Sequence, residues 1–176
     1  NLRIGRTSRG QTQSSWNYLE KIQAAKNAGI RVKINTVVNR INLSEDFTDF
    51  ILKAAPLRWK LLQVSKVEEE NGACFDRWGI STREFDDFAQ RHIDLIGPSV
   101  TIVPETQADI RGSYAMVSPD GRFFDTADGT YRYSRPILEV GAEAAFSDVQ
   151  FSMQRFESRD GHYDFESGLN REGGTK

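Results

Sequence analysis

Apolar residues alternate between helical and strand spacing along the first part of the chain. After a polar loop over residues 7–13, four apolar residues recur three positions apart: Trp16, Leu19, Ile22 and Ala25. This spacing predicts an amphipathic helix, with Ser14 or Ser15 as its N-cap and Gly29 as its end. The β-branched residues that follow, over 30–38, predict a strand.

The same order of helix and strand continues to residue 103. The predicted elements are a helix from a cap at Ser44 to Pro56, a strand over 58–65, a polar connection over 68–79, a helix opened by a capping box at Ser81, and a short strand over 100–103. Strands that alternate with helices form βα units with a parallel sheet, because each parallel crossover needs the length of a helix. The predicted fold class is therefore α/β.

Beyond Pro104 the pattern changes to short polar and aromatic segments. Residues 112–118 and 122–125 flank the turn sequence Pro119-Asp120-Gly121, which predicts an antiparallel hairpin. Residues 138–146 predict a helix, and the polar, glycine-containing end of the chain predicts a flexible tail. We therefore expect three parts: βα units over 1–104, an extension with a hairpin cap over 105–167, and a tail over 168–176.

Charge and cysteine content exclude several classes of function. The chain has 23 Lys and Arg against 25 Asp and Glu, so no long-range positive field favours binding to a nucleic-acid polymer. Cys74 is the only cysteine, and His92 and His162 are isolated, so we predict no metal site in this chain. No apolar run reaches the length of a membrane span, and no secretory leader is present, which favours a cytoplasmic location without membrane contact.

Two neighbouring predicted strands carry polar residues at alternate positions. Lys33 and Asn35 project to one face of their strand, and Arg58 and Lys60 do the same on the next strand. Strands of a covered parallel sheet are usually apolar, so three cations there are costly unless an anion or a wet cavity receives them. In a βα barrel, ligands bind to such residues near the carboxyl ends of the strands. The four residues are thus a candidate polyphosphate site.

A simpler interpretation of the same residues is that they are surface cations. They would then extend to solvent or pair with acidic loop residues. The sequence contains no P-loop and no G-x-G-x-x-G pattern, so spacing alone does not decide between this interpretation and a phosphate site.

Several motifs, taken together, carry a resemblance to one family. The segment 33–42, followed by Arg58-Trp59-Lys60 and Gln63, resembles the core of viperin, the antiviral radical S-adenosylmethionine (SAM) enzyme, and of its prokaryotic relatives. Further segments resemble the family in order and spacing: 4–6, 103–105, 113–114, 137–141 and 159–163. The resemblance covers about residues 2 to 165.

The resemblance implies a fold, a reaction and its cofactors. The fold would be the carboxy-terminal part of a partial (βα) radical SAM barrel. In the family, SAM is cleaved reductively at a 4Fe-4S cluster, and the resulting radical removes a ribose hydrogen from a nucleoside triphosphate. Loss of water then gives a 3′-deoxy-3′,4′-didehydro nucleotide, which terminates viral RNA chains. An electron donor of the reductase or flavodoxin type is implied as a partner, and we expect the enzyme to be a monomer.

The resemblance also implies roles for individual residues. Lys33, Asn35, Arg58 and Lys60 match family positions that hold the nucleotide, chiefly its phosphates. Arg6 matches a position that contacts SAM. Tyr114 matches a tyrosine proposed to supply a hydrogen atom, or an electron and a proton, at the end of the radical sequence. A family lysine that reaches the phosphates has no counterpart here, and Arg132 or Arg135 could replace it; we assign Arg132.

The chain opens on Asn1 rather than Met, in what the pattern predicts to be a strand, so we expect it to be a carboxy-terminal fragment. The cysteine loop that binds the cluster would then lie upstream, and the fragment alone would be inactive. Two alternatives stay open: a radical SAM enzyme with another substrate, and a truncated nucleotide-binding module without catalysis.

Overall fold

The computed structural model describes residues 7–8, 11–12, 14–159 and 161–162, and only the backbone of the first four. The chain divides into two compact units, the first ending at Ala108 and the second beginning at Asp109. The first contains a parallel sheet with helices, and the second contains an antiparallel sheet with short helices. The predicted α/β class is therefore confirmed.

The first unit begins with a short hairpin and a helix. Two strands, β1 (Thr7–Ser8) and β2 (Gln11–Thr12), pair antiparallel where a polar loop was expected. Helix α1 (Ser15–Asn27) follows, and its N-cap is Ser14, whose hydroxyl accepts from the Asn17 N–H at 3.3 Å. The helix ends before Gly29, which has a φ of +75°, so its cap and end are as predicted.

Three strands form the central parallel sheet of the first unit. They are β3 (Lys33–Val38), β4 (Arg58–Gln63) and β5 (Thr101–Glu105), in the order β3-β4-β5. Pro104 lies on β5, an edge strand of this sheet, where a residue without an N–H is tolerated. Each of the three strands lies within the range that the sequence predicted or extends it by two residues.

Helices connect the strands of the central sheet. Helix α2 (Thr48–Ala54) starts later than predicted, because the Asp46 carboxylate accepts from the Thr48 N–H at 2.8 Å and Ser44 is not the cap. The helix ends at Ala55, which has a φ of +42° and precedes Pro56. The segment expected to be a polar connection contains short helices instead: α3 (Glu68–Asn71), a 3-10 turn (Gly72–Cys74) and α4 (Phe75–Trp78).

Helix α5 (Thr82–Ile96) begins with the predicted capping box. The Ser81 hydroxyl accepts from the Glu84 N–H, and the Glu84 carboxylate accepts from the Ser81 N–H. Glu84 also accepts from the Arg40 guanidinium, and this hydrogen bond, with those from Ser81, lowers the pKa of Glu84 to about 2. A 3-10 turn (Gly97–Ser99) leads from α5 into β5.

The core of the first unit lies between α2, α5 and one face of the sheet, which we call the packed face (Ile34, Val38, Trp59, Leu61). Trp59 and Leu61 are fully buried there, with Phe85 and Phe88 from α5. The Trp59 indole N–H donates to the Thr36 hydroxyl at 2.9 Å, so its polar atom is satisfied. Alternation along the strands therefore sends every second residue to this core.

The second unit contains an antiparallel sheet in the order β6-β7-β8. The predicted hairpin is confirmed by β6 (Met116–Val117) and β7 (Arg122–Asp125), but the sequence did not predict the third strand, β8 (Arg132–Pro136). Four short helices are described around it: α6 (Gln107–Ile110, at the boundary), α7 (Ile137–Val140), α8 (Ala142–Phe146) and α9 (Met153–Ser158).

One predicted helix of the second unit needs correction, and another helix was missed. The single helix predicted over 138–146 is divided, because Gly141 has a φ of +83° and separates α7 from α8. Helix α9 was not predicted, since it is only six residues long. The predicted tail over 168–176 lies outside the described residues.

The sheets do not close into a barrel within the described residues, so the partial radical SAM barrel stays a prediction. No helix in this part of the chain combines the length and the apolar character needed to cross a membrane.

Candidate functional site

Strand register brings the four predicted nucleotide-binding residues together. In the parallel pairing of β3 with β4, Lys33 lies beside Arg58, and Asn35 lies beside Lys60. Because side chains alternate along a strand, all four belong to the face opposite the packed face. We call these four residues the cation face.

The position of the cation face along the strands differs from the expectation. Lys33 and Arg58 are the first residues of β3 and β4, and Asn35 and Lys60 are the third. All four residues therefore lie in the amino-terminal halves of these six-residue strands, since three more strand residues follow Asn35 on β3 and Lys60 on β4. These four residues are thus not at the carboxyl ends of β3 and β4, where barrels in general bind their ligands, and their role in binding stays a prediction.

Burial differs sharply across the cation face. Arg58 and Lys60, on the central strand, are each 6% exposed, whereas Lys33 and Asn35, on the edge strand, are exposed. A buried cation loses hydration that only a paired or hydrogen-bonded partner restores. The face thus combines two buried cations with two accessible polar groups.

The buried ammonium of Lys60 forms an ion pair with Glu105. Glu105 is the last residue of β5 and is fully buried, and its register partner Leu62 lies on the same side of β4 as Lys60. For Lys60, the structure contains the acidic pairing that the simpler interpretation expected, although the partner is a strand residue and not a loop residue. Sequence reasoning missed this role for Glu105, which alternation of Thr101, Val103 and Glu105 on one face could have indicated.

Tyr114 lies in the second unit, between α6 and β6, and is half-buried. Its hydroxyl accepts a hydrogen bond from Arg159 Nη1 at 3.1 Å, and the guanidinium carbon lies 3.9 Å from the ring centroid. Arg159 also donates to the Ser113 carbonyl at 2.8 Å. From the sequence, Arg159 was known only as part of a segment that resembles the family, and no role was predicted for it.

The two arginines considered as phosphate ligands have different partners. Arg135 donates from Nε and Nη2 to both oxygens of Asp148, at 2.8 and 3.0 Å, and this hydrogen bonding lowers the pKa of Asp148. Arg132 lies on β8 and donates to Asp128 at 2.8 Å, and its side chain is 48% exposed. Arg135 is therefore held in a bidentate pair, whereas Arg132 makes a single hydrogen bond to its carboxylate partner. Both side chains are exposed, Arg135 to 57% and Arg132 to 48%.

The remaining predicted residues bear on cofactors. Arg6, predicted to contact SAM, lies outside the described residues. His92 is fully buried; its Nε2 accepts from the Phe47 N–H at 3.1 Å, and its Nδ1 lies 2.8 Å from the Phe88 carbonyl. Burial lowers the pKa of His92, which fits a neutral ring in the core. The described residues include no cluster of three or more His, Cys, Asp or Glu side chains that could hold a metal ion.

A comparison with models of known protein families gives no match. Curated proteins give clear matches. A protein from Lacinutrix mariniflava is 40% identical over 173 residues, which cover 98% of this chain and 36% of that protein. One from Flammeovirga pacifica is 38% identical over 91% of this chain and 54% of its own length. One from Danio rerio is 31% identical over 88% of this chain and 44% of its own length.

The chain thus spans about a third to a half of the length of these three relatives. All three are named S-adenosylmethionine-dependent nucleotide dehydratase, and they come from bacteria and a vertebrate. The similarity extends over almost all of the chain and includes both units. By this similarity the chain belongs to the viperin family.

Proposed function

We propose that this chain forms the nucleotide-binding part of a SAM-dependent enzyme that removes water from a nucleoside triphosphate. The product would be the 3′-deoxy-3′,4′-didehydro nucleotide, made for antiviral defence against phage. The observation that carries the proposal is the in-register cation face, in a chain whose relatives are named nucleotide dehydratases.

The cation face supports a polyphosphate ligand by its chemistry. Arg58 can bind phosphate oxygens with two parallel N–H donors, Lys33 is an accessible point charge, and the Asn35 amide can donate to an oxygen between them. Lys60 is held by Glu105, so we propose that it contributes to the field at the face and that a phosphate competes with the carboxylate for its ammonium. Arg132 is proposed as a further phosphate ligand.

The cofactors place limits on what this chain can do. SAM with a 4Fe-4S cluster would supply the radical chemistry, and Arg6 is the proposed contact to SAM. The residues of this chain do not fit the cluster, because Cys74 is the single cysteine and a cluster needs several thiolates. We propose that its ligands lie in the part of the parent protein that this chain does not span. Tyr114 is proposed as the hydrogen-atom donor, since a phenol O–H is suited to that role.

The test uses the full-length parent protein with a reconstituted cluster, SAM, a reductant and each nucleoside triphosphate in turn. Mass spectrometry should find one nucleotide product lighter than its substrate by one water. A modified nucleotide of any other mass would favour a radical SAM enzyme of different specificity. Absence of any product, with triphosphate still bound, would favour a binding module.

The phosphate assignment has its own test. Replacing Arg58 by Gln should weaken triphosphate binding about tenfold or more, the scale of a lost charged hydrogen bond. Lys53→Gln is a suitable control, because Lys53 is an exposed cation on helix α2 that pairs with Asp49 and does not belong to the cation face. Unchanged affinity in the Arg58→Gln protein would reject the assignment, whatever the reaction.

A further inference from the structure

Arg159 makes two distinct contacts with Tyr114. Its Nη1 lies 3.1 Å from the phenolic oxygen, and its guanidinium carbon lies 3.9 Å from the ring centroid. The first distance fits a hydrogen bond, and the second fits a cation stacked on the ring face. Arg159 itself is 9% exposed, so both contacts form in surroundings that contain little water.

Helix α9 fixes Arg159 in this position through three successive carbonyl groups. The Ser152 N–H donates to the Gly112 carbonyl at 2.7 Å, Arg155 Nη1 to the Arg111 carbonyl at 2.8 Å, and Arg159 Nη2 to the Ser113 carbonyl at 2.8 Å. Residues 155 and 159 are four positions apart, so their side chains project to the same side of the helix, and the Ser152 N–H contacts this backbone at the amino end of α9. The segment before Tyr114 is thereby tied to α9 at three points.

A backbone contact also joins Gly161 to helix α9. The Gly161 N–H donates to the Phe156 carbonyl at 2.8 Å, and a Cβ at Gly161 would clash with that carbonyl oxygen. Since the obstructing atom belongs to the backbone, a side chain there would require the backbone to move. This close approach anchors the end of α9, and with it the backbone of Arg159.

We propose that Arg159 is a positioning residue for Tyr114. A guanidinium has only donors, so the phenolic oxygen must accept from it, and the phenol's own O–H is directed toward a different acceptor. The ring stacking fixes the plane of the ring at the same time. Arg159 therefore orients the O–H that the proposed reaction uses; the inference rests on the proposed function of Tyr114.

The first measurement detects the contact itself. A 3-fluorotyrosine is placed at position 114 of the full-length protein, and its fluorine resonance is recorded by NMR in the wild-type background and in Arg159→Met. Met keeps much of the arginine's apolar volume and removes its donors. Arg135→Met is the matched control, because Arg135 is an arginine of the same unit that pairs with Asp148 and makes none of the three contacts described above. The resonance should move in Arg159→Met and stay in Arg135→Met.

The second measurement detects the consequence in turnover, as nucleotide product formed per 5′-deoxyadenosine released. Arg159→Met should lower this ratio roughly tenfold, the scale expected for one lost hydrogen bond from a charged donor. Arg159→Lys should restore part of it, since Lys keeps the charge but not the planar fork. In a Tyr114→Phe background, Arg159→Met should have no further effect.

Each result bears on a separate claim. An unmoved fluorine resonance in Arg159→Met overturns the inference, and so does a full tenfold effect of Arg159→Met in the Tyr114→Phe background. A Tyr114→Phe protein with the wild-type ratio would instead reject the proposed role of Tyr114, and the fluorine resonance would still decide whether Arg159 orients the phenol.

Discussion

The two faces of the β3-β4-β5 sheet are made by alternating residues of the same strands, yet one face is apolar and the other carries charged residues. On the packed face, Trp59 and Leu61 are fully buried among aromatic and aliphatic side chains. On the cation face, their neighbours Arg58 and Lys60 are almost as buried but charged. Burial on the first face stabilises the fold, whereas burial of cations on the second costs hydration.

The buried charges on β4, the central strand of the sheet, are not explained by the stability of the fold. A buried ion pair such as Lys60 with Glu105 is weak evidence of stabilisation, because desolvation offsets much of its attraction. A packed apolar pair would stabilise the sheet equally well. The contrast between the faces therefore favours a ligand, and it can be tested one face at a time. The variants below are made in the full-length protein.

The largest effect is expected on the packed face. Replacing Trp59 by Ala should lower the free energy of unfolding by about 3–5 kcal/mol, because it leaves a large cavity and removes the indole hydrogen bond to Thr36. Urea unfolding measures the change. Trp16, on α1, is 69% exposed, so the same substitution there should cost less than about 0.5 kcal/mol. Equal losses at both positions would contradict the assignment of the packed face.

A smaller loss of stability is expected when the buried ion pair is broken. Glu105→Gln leaves Lys60 buried beside a neutral partner and should cost about 3 kcal/mol. Replacing both residues, in a Lys60→Met and Glu105→Leu double variant, should recover most of that loss in urea unfolding. If the double variant is no more stable than Glu105→Gln alone, the pair is not the source of the effect.

An accessible cation should affect binding and leave stability unchanged. Lys33→Ala should alter the free energy of unfolding by less than about 0.5 kcal/mol and weaken triphosphate binding several-fold. Calorimetric titration at two salt concentrations should show a smaller salt dependence of affinity in the variant, because one screened charge contact is lost. A large loss of stability with intact binding would reverse the roles assigned to the faces.

The smallest effect is a pH dependence of the packed face, to which His92 contributes through ring contact with Trp59 at 5.3 Å. Burial lowers the pKa of His92 below its usual 6.5, so the unfolded chain binds its proton more readily than the folded one. The contribution of the neutral His92 ring to the free energy of unfolding is complete above pH 6.5, and it is lost as the pH falls through the pKa that His92 has in the folded protein. The difference in unfolding free energy between wild type and His92→Gln should therefore shrink as the pH is lowered below 6.5; a constant difference would contradict a neutral buried ring.

Sequence reasoning predicted the central sheet and the cation face because both depend on local periodicity. Two-residue alternation places Lys33 with Asn35 and Arg58 with Lys60 before any register is known, and the parallel order then brings the pairs together. The Ser81 capping box was predictable for the same reason, since all its atoms lie within four residues.

The contacts that sequence reasoning missed join residues far apart in the chain. Lys60 and Glu105 lie on two adjacent strands, β4 and β5, and are 45 positions apart in the chain. Arg159 and Tyr114 are also 45 positions apart, so no local pattern contains either pair. Strand β8 and helix α9 were missed for a related reason. Both are short, and they are stabilised by antiparallel pairing and by carbonyl contacts to a distant segment instead of by their own propensity.

The attachment of α9 also has a consequence for the order in which the second unit forms. Its side-chain contacts to the segment before Tyr114 close loops of 44 and 46 residues, which is most of the unit. During synthesis these contacts cannot form until Arg159 has left the ribosomal exit tunnel. Loop closure over such a distance is also slow compared with local helix formation. The surroundings of Tyr114 would thus be among the last parts of the unit to mature, after the hairpin of β6 and β7.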